Sequence, residues 1–170
     1  FAGLGTLVDI GGGHGALLRA ILSAHPSLRG ILYDQPDVVA GAAPVLAAAG
    51  VADRIKTLGG DVFASVPEGG DAYVIKNVLH NWDDAQAGVI LSNVQRVLRP
   101  CGTLLLIEHV IHPGNAPQHG KLLDLVMLAL FGSRERTGAE WEALLNASGF
   151  HVAQILPTRA ELSVIEAIRA

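Results

Sequence analysis

The chain is 170 residues long, the size of one ordinary domain, and half of it is apolar. Only 16% of its residues are charged, against roughly 25% in a typical soluble domain, so a face covered by another domain or subunit is expected. A net charge of −4 without a basic stripe argues against a nucleic-acid partner, no apolar run is long enough to span a bilayer, and the single cysteine, Cys101, excludes a disulfide framework.

In chain order, residues 6–10 read as a first strand that runs into "VDIGGGHGALL". Four glycines in five positions at the mouth of a helix over 14–24 give a tight turn, close backbone approach and free helix N–H groups, a place for an anionic ligand group. Gly11, Gly13 and Ala16 satisfy a dinucleotide fingerprint, and Asp34, after a second strand at 30–33, is placed to accept from a ribose. That much fits NAD as well as any nucleoside cofactor. Asp9, Gly11, Gly13 and Gly15 together form an acid-x-Gly-x-Gly-x-Gly series that resembles the first motif of S-adenosylmethionine-dependent methyltransferases. A helix over 38–49 and a third strand at 55–58 follow. They lead to "LGGDVF", where Asp61 is a turn residue or, in that resemblance, reads the adenine together with Val62.

A buried fourth strand at 72–76 runs straight into "VIKNVLHNWDD", whose His80 has no role in strand packing. Asp83 or Asp84 is set to cap a helix over 85–98, which Pro100 and Gly102 terminate before a fifth strand at 103–108. His109, His112 and His119 invite a metal reading, but the Pro and Gly residues between them suggest a surface loop without ordered ligand spacing, and no metal is expected. A helix over 120–131 follows. Thr137 and Glu140 have capping-box spacing at the start of a last helix over 138–148, which Gly149 ends. Two further strands, joined by a connection too short for a helical crossover, should be antiparallel neighbours.

Strands alternating with helices predict a mostly parallel sheet. "DAYVIKNVLHNWDD", "LLLIEHVI" and "DLVMLALFGSRERTGAEWEALLNASGF" together resemble the catalytic domain of small-molecule O-methyltransferases, the plant caffeic acid and flavonoid enzymes and the bacterial polyketide-tailoring enzymes. The resemblance covers essentially the whole chain. It implies a Rossmann-like class I methyltransferase fold: a mostly parallel seven-stranded sheet, an antiparallel C-terminal strand and helices on both faces. His80 falls on the family's general base, and Glu108 and Glu135 on its two supporting carboxylates. Lys76 and Trp82 fall on cofactor positions, though a snorkelling lysine and a packing aromatic would look the same. Met127 and Phe131 fall on the substrate pocket, where the segment lacks an asparagine that some plant members use.

Asn81 replaces a common Asp and Cys101 interrupts the usual Pro-Gly-Gly turn, and neither change removes a catalytic group. The implied reaction is methyl transfer from S-adenosylmethionine to a phenolic or enolic hydroxyl of a small aromatic or polyketide-like molecule, leaving S-adenosylhomocysteine. A dinucleotide-dependent oxidoreductase and a catalytically silent cofactor-binding fragment remain as alternatives. No signal-peptide pattern is present, so a cytoplasmic location is expected. Beginning at Phe1 and entering a strand almost at once, residues 1–170 are expected to be one domain of a longer protein, without the family's N-terminal homodimerisation domain.

Overall fold

The computed structural model describes residues 3–170. The sheet is built outward from β1 (Thr6–Ile10), buried at four of its five positions because both faces are covered. On one side lie β2 (Arg29–Asp34) and β3 (Ile55–Gly59), and on the other β4 (Ala72–Lys76) and β5 (Thr103–Ile111), all parallel. β7 (Phe150–Pro157) and β8 (Leu162–Arg169) complete the order β3-β2-β1-β4-β5-β8-β7, with β8 antiparallel to both neighbours. This is the expected seven-stranded sheet. An eighth strand, the two-residue β6 (Arg136–Thr137), pairs with the end of β5 and carries no periodic signal that sequence could show.

Alternation along the strands divides the core in two. Leu7, Leu32 and Val74 face α1 (Ala16–Ala24) and α3 (Ala42–Ala48), while Val8, Ile10 and Ile75 face α4 (Asp84–Val97) and α6 (Gly138–Ala147). The helix expected over 38–49 is instead two, α2 (Pro36–Val39) and α3, because Pro44 has no N–H and its ring excludes a helical carbonyl four residues back. A fresh start at Ala42 puts Pro44 in a first turn, where neither matters. Asp83 caps α4 by accepting from Gln86 N at 2.8 Å, and the Thr137–Glu140 capping box starts α6.

β5 runs three residues past the expected 108, held by β8 and β6, so His109 is a buried strand residue rather than part of a surface loop. Its ring lies 6.2 Å from that of His119, which begins α5 (His119–Phe131). No helix among the described residues is long and apolar enough to cross a membrane. Strand order reverses between β1 and β4, and the crevice outside the carboxyl ends of parallel strands at such a point is where ligands bind.

Candidate active site

A cleft of about 750 Å³ occupies that position. Among the residues singled out from sequence, Gly11, Asp34, Asp61, Val62 and Trp82 line it, whereas Asp9, Gly13, Gly15 and Lys76 do not. The glycine loop is tied to the sheet by backbone: Gly11 N donates to Tyr33 O at 2.8 Å, and Gly13 N donates to Asp34 Oδ2 at 2.7 Å. Asp34 therefore shapes the loop as well as facing the cleft.

Asp9 lies beneath the loop, 1% exposed, with Oδ2 unpartnered. Burial, reinforced by the Asp34 charge, pushes its carboxyl up to about 7 against the opposing pull of Lys76. Lys76, exposed at the end of β4, supplies the charge that opposes this rise.

Gly12 belongs to the glycine loop but not to the expected cofactor contacts. A Cβ there would lie 2.5 Å from Leu32 Cδ1 and 2.6 Å from the Asp9 carboxyl, both buried, so the site demands glycine for contact rather than for a positive φ. Gly12→Ala is expected to cost about 1–3 kcal/mol of local strain and to weaken the loop's ligand tenfold or more. Titration with S-adenosylhomocysteine measures this, and unchanged affinity would show that the loop yields freely.

Asp61 makes the turn, its Oδ1 accepting from Phe63 N at 2.9 Å, and the residue also lines the cleft. Trp82 likewise both packs and lines, with the Phe63 ring edge-on at 4.7 Å.

His80 sits on a single 3-10 turn, Leu79–Asn81, whose neighbours Asn77, Val78, Asn81 and Trp82 form one wall of the cleft. It is 8% exposed, and its Nδ1 lies 2.8 Å from Glu135 Oε1. Burial pulls the imidazole down, but the Glu135 hydrogen bond and the charges of Glu108 and Glu135 outweigh it and hold the group above its usual 6.5. The two carboxylates differ in kind. Glu135 bonds the ring directly, whereas Glu108 Oε1 accepts from Val78 N and Leu79 N, each at 3.1 Å, and so grips the turn that carries His80. Complete burial pushes Glu108 up to about 7, with His80 opposing. Ligand atoms of His80, Glu108 and Glu135 all lie within 4.8 Å of one another, a donor set that would also suit a cation.

Three supports escaped the sequence reading. Asp124 Oδ1 on α5 accepts from Glu135 N at 2.8 Å, setting the carboxylate's backbone. Arg136, fully buried, donates to Leu79 O and Trp82 O on either side of His80. Asn93 on α4 holds the Val62 and Phe63 carbonyls. Of the expected pocket residues, Met127 is buried in α5 and Phe131 is 57% exposed, on a helix whose Leu122, Leu125 and Leu128 are also exposed.

A family model described as an O-methyltransferase domain matches residues 1–151. The phenazine O-methyltransferase of Lysobacter antibioticus is 48% identical over 167 residues, which cover 98% of this chain and 49% of that protein. The structure of a mitomycin 7-O-methyltransferase matches with a TM-score of 0.95 at 42% identity, covering 100% of this chain and 50% of that one. CalO1, a methyltransferase of calicheamicin biosynthesis solved with S-adenosylhomocysteine bound, matches at 0.93 and 38%, with the same coverage of 100% and 50%. The Rossmann-like class I methyltransferase fold is thus shared along the whole chain, which spans about half the length of the curated relatives it matches.

Proposed function

The chain belongs to the O-methyltransferase domain family, and from that premise we propose that it binds S-adenosylmethionine in the cleft and methylates a phenolic or enolic hydroxyl of a small aromatic or polyketide-like molecule of secondary metabolism. The observation that carries the reading is the His80–Glu135 bond of 2.8 Å on the turn that walls the cleft. With Nδ1–H given to the carboxylate, Nε2 keeps its lone pair for a substrate proton. A phenol with a pKa of about 10 releases that proton to imidazole at neutral pH only as the oxygen attacks.

Glu135 orients the ring and stabilises the imidazolium, and Glu108 fixes the turn and adds its field. When bound, S-adenosylmethionine supplies the methyl on a positively charged sulfur. The residues fit it: Asp34 and Asp61 offer acceptors to its nucleoside, and the unpartnered Asp9 Oδ2 beneath the glycine loop suits its cationic end. The remaining work is alignment and exclusion of water.

Met127 and Phe131 are the proposed acceptor contacts on α5. The exposed Leu122, Leu125, Leu128 and Leu130 beside them support covering of this helix, in the whole protein, by an N-terminal domain that makes a homodimer. We place the protein in the cytoplasm, with neither nucleic acid nor membrane as partner. Calorimetric titration with S-adenosylhomocysteine, with NAD as control, tests the reading. Binding of the first alone is expected, and binding of NAD alone would replace the reading with an oxidoreductase.

A further inference from the structure

Asn93 is a polar residue in the wrong place for a helix face: it is 3% exposed and lies among Ile90, Leu91 and Val94, which pack into the core. Its amide is fully used. Nδ2 donates to Val62 O at 2.8 Å and to Phe63 O at 3.0 Å, and Oδ1 accepts from Arg96 Nη1 at 3.0 Å. A buried amide is costly without partners and well placed with all of them.

The segment it grips is one wall of the cleft. Asp61, Val62 and Phe63 line that wall, and Phe63 meets Trp82, another lining residue, edge-on. The wall lies in a loop rather than a strand, and Asp61 Oδ1 to Phe63 N is its internal tie. The carbonyls of Val62 and Phe63 are both tied to α4 by one side chain.

We infer that Asn93 is a positioning residue for the cofactor, setting the Asp61–Phe63 wall against which the nucleoside is held, with no part in the methyl transfer. This rests on the proposed binding of S-adenosylmethionine in the cleft. The role divides binding from stability. A residue that only supports the fold would lower the melting temperature and leave ligand affinity in the folded protein alone; a wall-positioning residue must change affinity itself.

The test is calorimetric titration of the parent, Asn93→Leu and Asn93→Ser with S-adenosylhomocysteine and with adenosine, beside thermal melts without ligand. Asn93→Leu keeps the branched outline and removes both donors and the acceptor, and Asn93→Ser keeps a smaller donor should the bulkier leucine variant fail to fold. Affinity for both ligands is expected to fall about tenfold in Asn93→Leu and less in Asn93→Ser. A fall for adenosine as large as for S-adenosylhomocysteine locates the loss at the nucleoside. Variants that melt lower yet bind as tightly as the parent overturn the inference alone, whereas a parent that binds no S-adenosylhomocysteine overturns it together with the proposed function.

Discussion

His80→Ala in a preparation that turns over is expected to lower kcat by about 10²–10⁴-fold, the usual worth of a positioned general base, while S-adenosylhomocysteine affinity stays within about twofold. The split follows from geometry. His80 is absent from the cleft lining, although Val78 and Asn81 on either side of Leu79–His80 belong to it. Steady-state kinetics beside calorimetry make the measurement, and near-normal turnover would remove His80 from the mechanism.

The pH profile carries a second signature of the same residue. A base works only when unprotonated, and the Glu135 bond and the two carboxylate charges hold the imidazole above 6.5. The acid limb of the rate should therefore lie above 6.5, with activity rising as pH rises through it. Glu135→Gln withdraws the hydrogen-bonded charge, so the limb should move to lower pH while the plateau rate falls. A chelator should leave the rate unchanged if the nearby donor atoms of His80, Glu108 and Glu135 serve proton transfer rather than a cation.

The parts of this site differ in how openly the sequence displays them. Asp9, the glycines, His80, Glu108 and Glu135 are spread over the chain, and their motifs were enough to bring them together on paper. Their division of labour was not legible. Two glutamates look alike in sequence, yet one bonds imidazole and the other two backbone N–H groups, because Glu108 lies within β5 against the turn while Glu135 directly precedes β6. The split between α2 and α3 was legible in Pro44, and only the expectation of one continuous helix hid it. The requirement at Gly12 leaves no sign in the sequence, since its reason lies in the Leu32 and Asp9 side chains rather than in its own φ. Asn93 and Arg136 were hardest, because a buried polar group announces itself only through partners that are distant in sequence.

Arg136→Met is the substitution expected to cost the fold most, about 3 kcal/mol, or a fall of about 6–12 °C in Tm for a domain of this size. The guanidinium is fully buried and spends its donors on three targets. Nε and Nη2 reach Asp84 Oδ1 at 3.0 and 2.8 Å, Nη1 reaches Leu79 O at 3.2 Å, and Nη2 also reaches Trp82 O at 2.9 Å. Its plane lies over the Trp141 ring, 5.0 Å from the centroid. Methionine would fill much of the volume but leave both carbonyls short of a donor, and they flank His80. Asp84 is a lesser loss, since half of its side chain is in solvent and Arg134 still pairs with it at 2.7 Å. Asp84→Asn is therefore expected to cost under about 1 kcal/mol. The two melts side by side decide what holds the turn. A large fall for Arg136→Met alone assigns it to the carbonyl contacts, whereas equal falls would assign it to the ion pair and sink the argument from the backbone.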